Sequence, residues 1–599
     1  MGVARVYRLG TTYNGVELPE IDFEQTADTM YLAHIDHAPA KIVRAGHVDW
    51  SISDVTFGPA ITSPADCDCV STVANTDSEN DGVNYFPQNA YYVVTAVNDD
   101  TGEEGRASGL GTGLNDLTLK RNYNTITWTA VTGATRYNVY KADNSQFYGY
   151  IGTTEALTFR DDNIGPALDQ APPQAYNPFA AAGDYPSTVT LFEQRSIWAR
   201  TRNTPNAAWG SRTGQLENMD KSRPLRADDS LSFAIVAGRV NSLNQLVSTT
   251  SLLALTSDSV FTIDGDGQGG VLTADSPPAT RRQIGRGSSR LPPLVVDNVV
   301  FYSPSIGNSV RTINYSFEVD GLKSNDVSIY SPHFLEGFDV VSWCYAQEPR
   351  SCIWAARSDG KLLCFTWEQE QNVWGWTQCE TDGLVKSVCS ITENGEDRVY
   401  MIVAREVGGQ TKRFVERMAS HSWETVADCC FVDCAITAEF ETATSVIPGL
   451  WHLEGRTIAG LADGVAVSGL VVSGGKVTLD NPALKVTLGL PYDVDVETLP
   501  IRVNMQGQGW NVGRRQQTGE ICLTLSDTRS IMAGIDADHL FPVKSRVNEP
   551  YGSPDYLMTG DYGISSDNKA GDNAGVYIKQ TAPLPFTLLG VAMEPHVFE

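Results

Sequence analysis

The sequence predicts a mainly β protein with a β-propeller-like body. Short runs of apolar and β-branched residues alternate with turns that contain Gly, Asp or Asn, and these turns recur at short, regular spacing. No segment keeps a 3.6-residue apolar period over the length of a helix. Strands joined by hairpins form meanders, and the meander is the unit from which propeller blades are built.

The clearest meander runs from Cys344 to Arg417. Ser358, Asp359 and Gly360 separate two aromatic and β-branched runs, and Asp-Gly at such a place is a strong hairpin signal because Gly takes a positive φ without steric cost. The last strand of this stretch follows a Gly-Gly turn. The strands that the pattern predicts here are 352–357, 361–367, 373–378, 384–392, 397–405 and 412–416.

At 599 residues the chain is too long for one core, so we expect several domains. Residues 1–58 are expected to supply the first propeller strands, 174–419 the propeller body, and 420–599 a small C-terminal β-barrel or sandwich with frequent Gly turns. In the first segment, strands are predicted at 3–9, 21–25, 29–35, 41–45 and 50–57. In the last, they are predicted at 457–462, 466–472, 486–492 and 501–504.

A compact module interrupts the propeller strands. Residues 59–87 are rich in Asp, Ser, Asn and Pro, which predicts a loop, and Trp128 then precedes an alternation of Tyr137, Val139 and Tyr140. From about residue 88 to 172 the chain resembles fibronectin type III modules, and two prolines close the segment. We therefore assign 59–173 to an inserted fibronectin III-like β-sandwich. The resemblance implies an interaction or spacer element without an active site.

The formal net charge of −28 argues against an ordinary nucleic-acid-binding surface, because such surfaces neutralise phosphates with Lys and Arg. An acidic surface instead repels DNA; the plainer alternative is the solubility of a large protein. No run of 18 apolar residues and no signal-peptide pattern occurs. We therefore expect no membrane span, and folding in a cytoplasm.

The eleven cysteines show no disulfide-framework spacing. Two clusters could suggest zinc, but zinc requires four ligands in tetrahedral reach, usually as two pairs, and only a single histidine, His421, lies near the second cluster. Buried thiols are the simpler prediction, and the role of the second cluster stays open. The clusters are Cys67 with Cys69, and Cys429 and Cys430 with Cys434.

Two further groups could suggest metal or nucleotide binding. The first is a set of histidines and aspartates near the N-terminus that has no constrained ligand spacing, so we interpret its members as turn and strand-end residues: His34, Asp36, His37, His47 and Asp49. The second starts at Asp264 and imitates a calcium loop without its terminal Glu. Gly265, Gly267 and Gly270 match a nucleotide fingerprint without a following helix, so a hairpin turn is predicted.

No catalytic residue, cofactor site or metal site is predicted, and the sequence does not identify the residues of a channel gate. A glycosidase would require two carboxylates in one cleft. Nothing in the sequence selects such a pair from the available acids, of which we considered Asp359, Glu396, Asp397 and Glu416. Nucleophile-elbow and zinc-protease motifs do not occur either.

Segments along most of the chain resemble the tail nozzle, or tail tubular protein B, family of short-tailed phages. They occur in the same order as in the family, and are 21–50, 188–220, 287–334, 348–418 and 449–464. Two positions depart from the family pattern: Arg200 stands where Gly is expected, and Met219 where Phe is expected. Family members usually carry an N-terminal portion before the first of these segments. That portion is either missing here or encoded elsewhere, so the docking surface that it supplies stays an open question.

The resemblance implies a structural virion protein and not an enzyme. It implies a hexameric ring, assembled in the host cytoplasm, that extends the tail tube below the portal and adaptor, holds the genome and conducts DNA during ejection. Tail fibres or spikes would be further partners. Two alternatives stay open: a receptor-binding tail adhesin that uses the fibronectin-like insertion, and a propeller-type glycan hydrolase.

Overall fold

The computed structural model describes residues 8–76, 84–142, 147–236, 241–265, 270–505, 509–544, 553–566, 570–571 and 574–598. The chain divides into two compact units, 5–329 and 330–599. In the described ranges, every regular element is a β-strand except four 3₁₀ turns at Leu18–Glu20, Pro332–Phe334, Val426–Asp428 and Trp451–Leu453. The mainly β fold class is therefore confirmed. Within these ranges, no helix has the length and apolar character needed to span a membrane.

Unit 5–329 begins with a four-stranded antiparallel meander, sheet I. Its strands are β1 (Asp22–Thr26), β2 (Thr29–His34), β3 (His37–Gly46) and β4 (Asp49–Asp54), and they pair in chain order. A two-residue turn joins β1 to β2, and Ala27 takes a φ of +48° there. The strands predicted in this segment from residue 21 onward are thus confirmed, whereas the strand predicted at 3–9 lies largely outside the described residues.

Two sheets packed face to face follow. Their strands are β5 (Asp68–Thr72), β6 (Gln88–Asn98), β7 (Glu103–Glu104), β8 (Gly111–Asn115), β9 (Tyr123–Thr127), β10 (Arg136–Ala142), β11 (Gly149–Thr154) and β12 (Thr158–Asp161). One sheet has the order β5-β9-β12; the other has the order β11-β10-β6-β7, with β8 also paired to β6. Ile126 of the first sheet and Tyr92 and Val139 of the second share one apolar core. Strand β5 lies in the stretch that the sequence predicts as a loop.

The remaining sheets of this unit are again small and antiparallel. Their strands are β13 (Ala171–Gln174), β14 (Thr188–Phe192), β15 (Arg195–Ala199), β16 (Ala207–Gly210), β17 (Lys221–Arg223), β18 (Leu231–Ala234), β19 (Leu243–Ser248), β20 (Leu252–Thr256), β21 (Val260–Asp264), β22 (Ala279–Ile284), β23 (Leu294–Val296), β24 (Val299–Tyr302), β25 (Arg311–Ser316) and β26 (Gly321–Asp326). Sheet II is β14-β15-β16-β18, sheet III is β19 to β22, sheet IV is β23 to β26, and β13 pairs with β17.

Apolar side chains connect sheets I to IV in chain order. Tyr31 of sheet I and Trp198 of sheet II belong to one buried cluster. Sheets II and III share a second cluster that contains Leu243, and sheets III and IV share a third that contains Leu255 and Tyr302. Trp198 is completely buried, and truncating such a residue to Ala costs about 3–5 kcal/mol. Consecutive sheets therefore stabilise one another through their faces.

Unit 330–599 opens with the meander that the hairpin signals predict. Its strands are β27 (Val340–Ala346), β28 (Cys352–Arg357), β29 (Leu362–Glu368) and β30 (Val373–Cys379) in sheet V, and β31 (Leu384–Glu393), β32 (Glu396–Val407) and β33 (Gln410–Arg417) in sheet VI. Gly360 has a φ of +91° in the first predicted turn, and Gly408 and Gly409 have φ values of +61° and +74° in the last. These hairpins are confirmed.

The C-terminal residues form two further β modules. The first sheet has the order β34-β37-β35-β36 and is built from β34 (Asp433–Pro448), β35 (Thr457–Ala462), β36 (Val465–Val471) and β37 (Lys476–Leu490). The second module contains β38 (Val494–Glu497), β39 (Asn504–Met505), β40 (Gly509–Trp510), β41 (Gln516–Thr528), β42 (Ile531–Gly534), β43 (Leu540–Pro542), β44 (Met558–Ser565), β45 (Ala570–Gly571), β46 (Tyr577–Gln580) and β47 (Thr587–Val597). Leu523 and Ile578, from its two main sheets, share one core.

Candidate functional site

Two of the acids considered for a glycosidase, Asp359 and Glu416, form ion pairs with arginines. Arg357 donates to both carboxylate oxygens of Asp359, at 2.8 and 2.6 Å, and this contact lowers the pKa of Asp359. Arg405 donates to both oxygens of Glu416, at 2.5 and 2.6 Å. A general acid requires a raised pKa, and a bidentate guanidinium has the opposite effect.

The other two acids are adjacent in sequence and are also engaged. Glu396 lies 3.0 Å from the guanidinium of Arg398 and accepts a bond of 2.9 Å from the hydroxyl of Ser420. Asp397 accepts a bond of 2.6 Å from the hydroxyl of Thr392, which lowers the pKa of its carboxyl. All four acids are therefore engaged by neighbouring side chains of the same stretch of chain.

The cysteines of the two clusters are free thiols that are at least partly buried. Burial raises the pKa of Cys67 to about 11 and that of Cys429 to about 12. Cys430 and Cys434 are partly buried, and burial raises their pKa values too. All eleven thiols are free, and no group of three or more His, Cys, Asp or Glu in the described ranges is arranged to hold a metal ion.

The N-terminal histidines lie at strand ends. His34 is the last residue of β2 and is only 1% exposed, and His37 is the first residue of β3. The ring of Tyr13 packs against both, at centroid distances of 6.0 and 4.7 Å, and Glu17 lies 3.2 Å from His37. This arrangement is a packed aromatic cluster. In the calcium-like stretch, Asp264 ends β21, but the predicted turn at 266–268 lies outside the described residues.

Residues from strands of three sheets meet at a buried carboxylate, that of Asp22. Asp22 in β1 accepts a bond of 2.5 Å from the hydroxyl of Thr188 and one of 3.1 Å from the backbone N–H of Val189, both in β14. Gln245 in β19 lies next to this group and donates a bond of 2.8 Å to the carbonyl of Arg290. Because Asp22 is buried, its pKa is raised to about 6. Sequence analysis did not single out this residue.

A small cavity opens beside this carboxylate, and we call it the junction pocket. It has a volume of about 40 Å³ and is lined by Asp22, Ser187, Arg200, Asn244, Gln245 and Arg290 together with residues of the 18–22 segment. Arg200 follows directly after β15 and takes a φ of +59°. Gly adopts that backbone conformation without cost, whereas a residue with a Cβ does not. Among the residues of the junction pocket, the sequence singles out only Arg200, because Gly is expected at that position.

Met219, the second departure, is a core residue. It is completely buried and packs in the cluster that contains Trp198 and Phe179. Replacing Phe by Met keeps an apolar side chain of adaptable shape in the same core. Met219 therefore contributes to the packing of this apolar core.

An apolar hairpin tip projects from sheet IV. At the turn between β25 and β26, Phe317 is 90% exposed, Val319 is 62% exposed and Tyr315 is 58% exposed. The hydroxyl of Tyr315 donates a bond of 2.7 Å to Asp320, which closes the turn. Grouped apolar residues at the surface mark interaction sites more often than single ones do.

Comparison with known proteins adds little. No protein-family model matches the chain, and no curated protein matches it. Two solved structures align with it: a periplasmic gluconolactonase of Pseudomonas aeruginosa, PpgL, at 11% identity and a TM-score of 0.25, and a protein from Lactobacillus plantarum at 8% identity and a TM-score of 0.22. Each alignment covers 55% of this chain and 96% of the other. Values this low show neither a shared family nor a shared activity.

Proposed function

We propose that the protein is a structural subunit of a phage tail, a nozzle that assembles as a ring and conducts DNA. The observation that carries this proposal is the order of the family-like segments, which run from residue 21 to residue 464. Single short motifs recur by chance, whereas five of them in one order do not. The proposal places the protein in the virion tail after assembly in the host cytoplasm, with an adaptor or portal as its neighbour.

The architecture supports this proposal at the level of the fold. In it, sheets I to IV are blades of a propeller-like body, since each is a small meander and they pack face to face in chain order. Sheets V and VI of the other unit are small meanders of the same kind. The two-sheet module at 68–161 is the fibronectin III-like insertion. Its support is the contact between Trp128 and Tyr137, whose ring centroids lie 5.4 Å apart in the module's core.

The electrostatics support passage of DNA over retention by binding. The net charge of −28 gives a surface that repels a polyanion, so DNA would not adhere to a lumen lined by these acids. The four acids weighed for glycan hydrolysis instead accept bonds from Arg, Ser or Thr in hairpins. This arrangement favours a structural role over a hydrolase.

A ring of identical chains requires head-to-tail contacts that close after a fixed rotation. We assign one side of such a contact to the apolar hairpin tip, with a second copy of this chain as the occupant. The tip is a compact group of three exposed apolar residues, and covering Phe317 alone would remove a large aromatic surface from water. The assignment depends on the nozzle proposal.

The test is the mass and symmetry of the purified full chain, measured by mass photometry and by class averages of negatively stained particles. We expect six-fold rings at micromolar concentration. Phe317→Ser should reduce the ring fraction at least about tenfold, whereas Val16→Ser, at a single exposed apolar residue of the same unit, should not. A monomer at every concentration, or shortened host polysaccharide after incubation, would contradict the nozzle. Intact rings with Phe317→Ser would contradict only the hairpin assignment.

A further inference from the structure

We propose that the junction pocket binds a small oxyanion from solution, a carboxylate or a phosphate, through the guanidinium of Arg200. The inference is independent of the nozzle proposal, because it concerns a site inside unit 5–329 and uses only the residues that line it. Three observations carry it: a guanidinium that lines the cavity and has no described acceptor, an unfavourable backbone conformation at the same residue, and a buried hydroxyl without a described partner.

Arg200 is 7% exposed, yet no described residue accepts a hydrogen bond from its guanidinium. Arg195, by contrast, is 1% exposed and has three described acceptors. Arg195 donates to the carbonyls of Ser211, Asp229 and Ala227 at 2.6, 2.6 and 2.9 Å. A guanidinium offers only donors, so a ligand of the cavity that pairs with Arg200 must be an acceptor. An anion is the acceptor that also neutralises the charge.

The backbone at Arg200 is unfavourable as well. Its φ of +59° lies in the left-handed region, which residues with a Cβ rarely adopt. The backbone groups are otherwise in regular places: the N–H donates to Ala207, and the carbonyl accepts from Ser187 at 2.9 Å. Conformations of this kind persist where the surrounding structure requires them, and they concentrate at binding sites. Here the residue in this conformation is Arg200, whose long cationic side chain lines the junction pocket. A Gly at this position would have no side chain in the pocket.

The cavity has the size and the donors for an oxyanion. Its volume of about 40 Å³ exceeds what a single water molecule needs, which is about 15 Å³. The hydroxyl oxygen of Ser187 is buried and has no partner among the described residues, and it can donate to an anion. Arg290 supplies a second guanidinium at the rim, 3.5 Å from the carboxylate of Glu20.

The charges around the cavity are also consistent with an anion. Burial and the neighbouring charge of Arg290 lower the pKa of Arg200 to about 10, so its guanidinium is still protonated at neutral pH. Glu20 faces the same region but is about half exposed and lies against Arg290. The carboxylate of Asp22 accepts its bonds from β14. The guanidinium of Arg200 is therefore the donor group that is available to a ligand.

The experiment compares melting temperatures in sodium phosphate, sodium acetate and sodium chloride of equal ionic strength, after exhaustive dialysis, and measures phosphate binding by calorimetry. We expect 50 mM phosphate to raise the melting temperature of the full chain by about 2 °C over chloride. In Arg200→Gly this rise should vanish, while the melting temperature in chloride should not fall, because Gly accepts the left-handed φ. Ser187→Ala should weaken binding about three- to tenfold.

Arg121→Gly is the matched control. Arg121 also has a positive φ, +74°, but it is exposed and lies away from the pocket, so its variant should keep the full rise with phosphate. The proposal is overturned if phosphate and acetate leave the wild-type transition unchanged, or if Arg200→Gly responds as the wild type does. It is also overturned if the Arg200-dependent stabilisation appears only as protein concentration and particle mass increase without added anion. That result would assign the acceptor to a carboxylate of a neighbouring copy.

Discussion

Replacing Asp22 by Asn removes a buried negative charge that no cation neutralises. Asp22 is 8% exposed and accepts bonds from the Thr188 hydroxyl and the Val189 N–H, and burial outweighs these bonds and raises the pKa of Asp22 to about 6. An Asn side chain has nearly the same shape. Its carbonyl oxygen can accept both bonds from β14, because they reach the same carboxylate oxygen, whereas the bond that the N–H of Phe23 donates to the other oxygen is lost. The substitution therefore isolates the charge.

The magnitude follows from the pKa of Asp22. The folded-state value of about 6 lies above the ordinary value of 3.8. At about 1.4 kcal/mol per pH unit, the charged form in the folded protein costs about 3 kcal/mol. A raised carboxyl pKa means that the folded state binds the proton more tightly, so this contribution to stability is present below pH 4 and is lost as the pH rises through 6. Relative to the wild type, we expect Asp22→Asn to be more stable by about 2–3 kcal/mol at pH 7.5, allowing for one lost hydrogen bond, and equal or slightly less stable at pH 4.

The assay is hydrogen exchange of the β14 peptide in the full chain, combined with urea unfolding, at pH 4, 5, 6 and 7.5. Exchange of β14 reports on the unit that contains Asp22 and does not require both units to unfold together. Asp49→Asn is the control, because Asp49 is an exposed carboxylate of the same sheet, and its effect should stay within about 0.5 kcal/mol at every pH. A destabilisation by Asp22→Asn that is equal at pH 4 and pH 7.5 would refute the reasoning.

Two further substitutions test unit 330–599, both by the midpoint of urea unfolding. Gly360→Ala should cost at least about 2 kcal/mol, because Gly360 has a φ of +91° and an added Cβ would lie 2.8 Å from the Cβ of Leu384; a cost below 0.5 kcal/mol would exclude the described turn, on the scale of ordinary surface changes. Arg405→Met should cost about 3–5 kcal/mol, because the carboxylates of Glu416 and Asp433 would lose the buried cation that they share. An unchanged midpoint would show that this ion pair contributes nothing.

The local part of the fold could be predicted because its signals are local. The turns at Gly360, Gly408 and Gly409 require positive φ values, and glycines at those positions define the hairpins without reference to the rest of the chain. Strand alternation then fixes which residues face the core. For this reason the sequence predicts the six strands between residues 352 and 417, whereas β27 (Val340–Ala346) carries no such signal.

Elements that depend on distant partners were not predicted. Strand β5 is a polar segment in a loop-like stretch, and it exists because it pairs with β9, about fifty residues later. The sequence predicts that Pro172 and Pro173 end the inserted module. Instead they lie within strand β13, which pairs with β17 at Ala171 and Gln174 on either side of the prolines. The sequences of β5 and β13 contain no local strand signal that predicts these pairings.

The candidate site shows the same limit. Asp22, Ser187, Arg200, Gln245 and Arg290 come from five separate parts of the chain and meet only in the folded unit. The sequence marked one of them, through the departure from Gly, but burial, the missing acceptor and the cavity are tertiary properties. Conversely, the acids that the sequence made visible are paired within hairpins, where local spacing brings an acid and a base together.

The distribution of charge explains how a pocket with two guanidinium groups can occur in so acidic a protein, although its lining also contains the carboxylates of Glu20 and Asp22. Among the described residues the buried acids number seven, and the buried Lys and Arg number six. The surplus that produces the net charge of −28 therefore lies at the surface, where it is screened beyond about 8 Å at physiological salt. Such a surface repels a polyanion that passes at close range, but it does not prevent a small anion from reaching a cavity whose walls present guanidinium groups. Repulsion of DNA and binding of an oxyanion at Arg200 are thus compatible in one subunit. The first depends on the acidic side chains at the surface, and the second on a guanidinium inside the pocket.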